Sequence, residues 1–377
     1  MSRVERLKSF YEHDPQNSAL ICDLLDAYMQ DGVLQECIRF LADLPDHVRS
    51  QPGVRFREAR VAMLRGELED AASLLQSLLD SGTDAWAIRH DLALVQSHMG
   101  DPEAALQTLS PLLSDSRTDS SVRLLEARLR YSKGELDTAL EVTENVLRAS
   151  PDEADAQGLR ALLLFDMGEI STAREAAERC LSTHPGQSDA MLVAGTVALW
   201  DQRLDVAETA LSEVARNPAF AGRALSGLGQ LHMVQGELPR AIETLELAVQ
   251  RMPGHIGTWH ALAWCQLLSG DVGGAQRSIE KAFELDRSFG ETHGGFAIVH
   301  ALHGRTEEAE AAIRRAQRLD PNGRNFLYAK ALLLRAEGRN QEAVLIVAGV
   351  LESVPSMQGQ DPAAVLDRLA ARMERRD

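Results

Sequence analysis

The stretch Gly236-Glu237-Leu238-Pro239-Arg240-Ala241-Ile242-Glu243-Thr244-Leu245 decides how this chain is read. A glycine, free to take a left-handed backbone, marks a turn. Pro239 falls where the first turn of a helix tolerates it, and Ala241 and Leu245 share one helical face. The same interval of five residues from glycine to alanine recurs at Gly66/Ala71, Gly100/Ala105, Gly134/Ala139 and Gly168/Ala173, then at Gly270/Ala275, Gly304/Ala309 and Gly338/Ala343. Successive copies lie 34 residues apart, with one gap that Gln202 and Ala207 fill in register. Gly32 begins the series, with Cys37 in the alanine position. Ten copies in one register predict an array in which each repeat buries its apolar face on its neighbours.

Outward from the turns, the repeats run 18–51, 52–85, 86–119, 120–153, 154–187, 188–221, 222–255, 256–289, 290–323 and 324–357. Each reads as helix A, a turn at the glycine, and helix B. Seven residues before the turn stands a small residue: Ala59, Ala93, Ala127, Ala161, Gly195, Gly229, Ala263, Ala297 and Ala331, with Leu25 the exception. This position faces the helix-B alanine across the hairpin and lets the two helices approach closely. Four residues beyond that alanine come Leu75, Leu109, Leu211, Leu245, Ile279, Ile313 and Val347, the stripe of a continuous core. Helix starts carry their own signals: Asp101-Pro102-Glu103 supplies an N-cap and a first-turn proline, and Thr306 precedes Glu307 and Glu308. A first helix over Arg3–His13, with Val4, Leu7 and Phe10 on one face, reads as the second half of a repeat. The expected organisation is one all-α solenoid over 1–377: a closing helix in 1–17, ten repeats in 18–357, and a capping helix in 358–377. That last helix starts at Asp361-Pro362, runs to about Arg375, and follows a loop around Ser356-Met357-Gln358.

These features together resemble the tetratricopeptide repeat (TPR) family. Repeat 222–255 carries the pattern as Leu225, Leu228, Gly229, Gly236, Ala241, Leu245, Ala248 and Pro253; repeat 256–289 carries it as Trp259, Leu262, Ala263, Gly270, Ala275, Ile279 and Ala282. Repeats 18–51, 52–85 and 120–153 depart from it by lacking the usual helix-A aromatic and leucine. The resemblance implies a right-handed superhelix with a concave groove lined by helix A, at the second, fifth, sixth, ninth, twelfth and thirteenth positions of each repeat.

In the N-terminal half those positions include Arg57, Arg60, His90, Asp91, His98, Arg128 and Tyr131. Clustered arginine suits an acidic peptide, through bidentate guanidinium–carboxylate pairs; the competing reading is a solvated face balanced by acids such as Glu58 and Glu126. In the C-terminal half they are Trp200, Gln230, Met233, His260, Trp264, Leu267 and Tyr328. These suit an apolar partner segment anchored on Trp264, or else packing of Trp264 and Leu267 against the next helix A. The Lys/Asn pair with which some TPR proteins hold C-terminal carboxylates has no counterpart at the fifth and ninth positions.

Composition narrows the function classes. Hydrophobic residues make up 45% and aromatics 5%, which suits closely packed helices. The net charge of −17 disfavours a general nucleic-acid binder, and only four basic residues are lysine: Lys8, Lys133, Lys281 and Lys330. Cys22, Cys37, Cys180 and Cys265 form no C-x-x-C pair and read as small hydrophobes in a reducing compartment. No apolar run is long enough to span a membrane, and Met1–Arg6 is not followed by a leader-like segment, so the cytoplasm is expected. Late histidines at 255, 260, 293, 300 and 303 lack metal-ligand spacing. There is no G-x-S-x-G and no phosphate loop; Gly227-Leu228-Gly229 belongs to helix A. The expected function is a non-enzymatic scaffold, without cofactor or metal, binding a peptide or protein in its groove. The alternative is a self-associating structural or regulatory subunit, for instance a homodimer or part of a larger enzyme or secretion complex.

Overall fold

The computed structural model describes residues 2–114, 119–353 and 359–371, and among them every regular element is a helix. The fold is an all-α solenoid of helical hairpins. Helix B of the ten repeats begins at residues 34, 68, 102, 136, 170, 204, 238, 272, 306 and 340, a spacing of 34 without exception. The turn glycines of the register take φ between +67° and +86°. Gln202, which replaces glycine in one turn, is forced to φ +61° and is the one non-glycine among the described residues with positive φ. The hairpin geometry therefore imposes the left-handed turn whatever residue occupies it. For an L-residue the conformation costs about 1–2 kcal/mol.

Close approach of the two helices explains the small residues. Ala59, Ala93, Ala127, Ala297 and Ala331 are fully buried, as are the helix-B alanines from Ala71 to Ala343. A Cβ at Gly195 would stand 2.9 Å from Leu211 Cγ, and one at Gly229 would stand 2.7 Å from Leu245 Cδ2. Leu211 and Leu245 are themselves at 0% exposure, so neither has free space to yield into. Gly227 is also enclosed, with Leu211 Cδ1 at 2.9 Å from where its Cβ would lie, which makes it a packing glycine inside a helix.

The chain forms two compact units, Met1–Leu163 and Leu164–Asp377. In the first, the Arg3–His13 helix starts with a capping box between Ser2 and Glu5 and packs on the Ser18–Gln30 helix. Its buried stripe differs from the expected one. Phe10 is 61% exposed, and Tyr11 takes its place, meeting Phe40 edge-on at 5.0 Å. The stripe runs Val4–Leu7–Tyr11, the i, i+3, i+7 row that faces one neighbour. The first hairpin differs too. Pro45 stops helix B at Asp43, and a short Asp46–Arg49 helix follows, seating Val48 in the core. Cys37, like Cys180 and Cys265, is buried.

In the second unit, Arg305 rather than Thr306 occupies the N-cap, and Thr306 is the first helical residue. The last described helix, Pro362–Ala370, is capped by Asp361, whose carboxylate accepts from Ala363 N. Leu366, Leu369 and Ala370 bury it against the Asn325–Ala336 and Asn340–Glu352 helices, and Asp367 pairs with Arg335. The expected loop at 356–358 and the helix tail carrying Arg372, Glu374 and Arg375 lie outside the described residues.

Candidate functional site

The arginines of the first unit are engaged with the chain itself. Arg57 lies bidentate on Asp26, with Nη2 to Oδ2 at 2.8 Å and Nε to Oδ1 at 3.2 Å, and donates also to the Gly53 carbonyl. Arg60 pairs with Asp91 at 3.4 Å, and both guanidiniums lie beside the Phe56 ring. His90 shares Asp91 at 3.1 Å and meets the Trp86 ring edge-on. Arg128 and Tyr131 are half-buried and also interact within the chain, while His98 is exposed at a helix end. Glu58 is held by Arg49, and Glu126, nearly buried, by Arg130. A cavity of about 410 Å³ on this unit is bordered by Arg49, Glu58, Arg65 and Glu67, again mutually paired. The guanidiniums that made an acidic-peptide site plausible here are thus largely satisfied by the protein's own carboxylates.

The second unit is different. Trp200, Gln230, Met233, His260, Trp264 and Tyr328, which come from four repeats, line a single cavity of about 920 Å³. Tyr328 and Trp264 meet edge-on with ring centres 4.9 Å apart. His260 meets Phe289 at 5.5 Å, and Trp200 stacks on Phe165 at 5.1 Å while keeping 41% of its surface exposed. Helical spacing puts positions five, nine and thirteen of successive A helices on one side, so the rings converge. Leu267, also expected at the groove, is instead buried at 3% in the core with Ala263 and Ile279. One position in the helical turn separates it from the cavity-facing Trp264 and Leu268.

Polar contacts hold the aromatic wall in place. Glu291 accepts from the backbone N–H of Arg324 at 2.7 Å and of Asn325 at 2.8 Å, capping the Asn325–Ala336 helix. The Asn325 side chain donates to the Glu291 carbonyl and accepts from Trp264 Nε1 at 3.1 Å. The indole is therefore fixed before any ligand arrives. His260 Nε2 lies 2.9 Å from Thr292 Oγ1, and burial lowers its pKa from 6.5 to about 4, so the imidazole is neutral at pH 7. Burial pushes the Tyr328 phenol up to about 12, with Glu291 adding to the rise and Arg324 opposing it.

Several wall residues escaped the sequence reading. Phe289 and Arg324 sit at the junctions between repeats, outside the helix-A positions that were considered, while Glu291 and Asn325 hold the second position of their repeats but were not singled out. Ala364, Val365 and Arg368 come from the final helix, which was expected only to cap the array. The described lining residues include no serine, threonine, cysteine or lysine, and the Glu291 carboxylate is committed to two backbone N–H groups. Of the late histidines, His255 caps Thr258 N, His293 bonds the Arg287 carbonyl, and His300 stacks on Phe296. Among the described residues no group of three His, Cys, Asp or Glu is placed to hold a metal ion, and no helix is long and apolar enough to cross a membrane.

Sequence profiles described as tetratricopeptide repeat match residues 62–129 and 99–163, and again 159–219, 192–256, 261–324 and 295–357. The chain belongs to the tetratricopeptide repeat family. Bovine tetratricopeptide repeat protein 36 is 30% identical over 126 residues, which span 31% of this TPR chain and 67% of that protein. Among solved structures, the APC/C hetero-tetramer Cut9-Hcn1 superposes with a TM-score of 0.53 at 13% identity, covering 96% of this chain and 84% of the other. The human IFIT1 dimer with m7Gppp-AAAA gives 0.51 at 13% identity, covering 86% and 87%. At such identities the likeness is one of TPR fold.

Proposed function

We propose that this TPR protein is a non-enzymatic scaffold whose Leu164–Asp377 unit holds an apolar segment of another protein in the aromatic cavity. The observation that carries the reading is the convergence of Trp200, Met233, His260, Trp264 and Tyr328 with Phe289 around one space of about 920 Å³. That volume lies near the upper end of ordinary ligand pockets, of order 300–1,000 Å³, and admits two or three side chains of a bound segment. Rings fixed by Asn325 and Glu291 lose little freedom on binding, which favours affinity. The family is generally one of protein-interaction scaffolds, and a lining rich in apolar and aromatic side chains fits the binding of a protein segment.

The test is selection of a random-peptide phage library on the full chain, followed by fluorescence anisotropy with the selected peptides. Trp264→Ala and Met233→Glu are expected to weaken binding about tenfold or more, because both sit at the centre of the apolar surface. Met233 is half-buried, so the charge enters the cavity with less disturbance of the core. Peptides that bind both variants as well as the parent chain would remove the cavity from the proposal.

A further inference from the structure

We propose that this cavity, read as a peptide site, selects segments in which an apolar or aromatic residue is accompanied within a few residues by a carboxylate, received by Arg324 and Arg368. The argument rests on which hydrogen-bonding groups of the cavity are already occupied. Both oxygens of Glu291 accept from backbone N–H groups. One oxygen of Asp361 accepts from Ala363 N, and Asn325 Oδ1 accepts from the Trp264 indole. The acceptors are thus largely committed to holding the walls.

The donors are not. Arg324 and Arg368 border the cavity, and neither guanidinium makes an ion pair among the described residues. In the same unit Arg174, Arg223, Arg240, Arg335 and Arg339 all pair with carboxylates. The Tyr328 hydroxyl also makes no hydrogen bond within the described residues. A cavity with open N–H and O–H donors beside apolar walls is complementary to an anion on an apolar stem. Arg368 stands on the final helix and Arg324 on the last repeat, so the two border the cavity from different elements.

A phosphate is also an anion, but nucleic acid requires a track of cations along its backbone. Among the described residues the cavity presents two cationic side chains, with the Glu291 and Asp361 carboxylates in the same lining, on a chain of net charge −17. An acidic protein segment is the better match.

The experiment repeats the peptide selection on the parent chain and on Arg324→Glu/Arg368→Glu, whose side chains are exposed; circular dichroism confirms the fold. The parent chain is expected to enrich peptides with Asp or Glu near Leu, Phe or Trp. The double variant is expected to lose those peptides by about tenfold or more and to enrich Lys or Arg in their place. Arg324→Lys/Arg368→Lys should keep the acidic preference with weaker affinity, since the bidentate geometry is lost. Peptides enriched without charge preference, equally by both proteins, would overturn the carboxylate proposal and leave the apolar site standing. No enrichment by the parent chain would overturn both. Displacement of a selected peptide by a 5′-phosphorylated RNA oligomer at micromolar concentration would overturn the choice of a protein partner.

Discussion

Replacing Gly229 by alanine should destabilise the parent protein and stabilise a variant that lacks Leu245. In the parent, the new Cβ would lie 2.7 Å from Leu245 Cδ2 and 3.2 Å from Cδ1, with Cγ closer still, where ordinary contact begins near 3.4 Å. Leu245 is fully buried on the opposite helix and has no open space to rotate into. Overpacking of this kind costs about 1–3 kcal/mol, while alanine in a helix interior recovers about 1 kcal/mol over glycine. The net expectation is a loss of up to about 2 kcal/mol. Leu245→Ala alone should cost about 2–5 kcal/mol, toward the upper part because the site is closed. With the leucine gone, the obstructing carbons are gone too. Gly229→Ala then brings its helix-propensity gain of about 1 kcal/mol and fills part of the void. The coupling between the two sites should come to about 1–3 kcal/mol. A solenoid opens repeat by repeat, so the assay is amide hydrogen exchange resolved over Ala221–Val234 and Leu238–Arg251, supported by urea unfolding. If Gly229→Ala has the same sign in both backgrounds, close helix approach is not why the position is small.

Other outcomes follow from the cavity. His260, with its folded pKa near 4 against 6.5 in the open chain, takes up no proton in the native state as pH falls through that interval, whereas the unfolded chain does. Its contribution is therefore neutral above pH 6.5, and stability is lost progressively down to pH 4, by about 3 kcal/mol at the limit. The urea midpoint of His260→Gln relative to the parent should rise over that window, and a constant difference between pH 7 and 4 would refute the assignment. Glu291→Ala removes the acceptor of two backbone N–H groups and should cost about 1–2 kcal/mol. Faster amide exchange at Arg324 and Asn325 checks it, and unchanged exchange there would show that the cap is not carried by this carboxylate.

Much of the architecture was legible because the repeat is a local device. A turn glycine, an alanine five residues on and a small residue seven before are demands of one hairpin on its own backbone. They recur wherever the hairpin does. Gln202 shows the strength of that demand, since a residue ill-suited to a positive φ still adopts it. The face of the first helix was misread because one hydrophobic residue in four, Phe10 rather than Tyr11, can sit to either side of a helical stripe, and only Phe40 on another helix decides between them.

The site divides in the same way. The resemblance to the TPR family, read from the sequence, implied that Trp200, Gln230, Met233, His260, Trp264 and Tyr328 face a shared side, because equivalent positions of stacked repeats keep the same orientation. It could not show whether a charged side chain on that side is open or occupied. Arg57 and Arg60 meet Asp26 and Asp91 from neighbouring repeats, whereas Arg324 and Arg368 make no ion pair among the described residues. Nor could it place the final helix as a wall, since an amphipathic segment specifies that it will pack but not against which surface. Pairing and docking are matters of distance between residues far apart in the chain, and only the tertiary structure decides them.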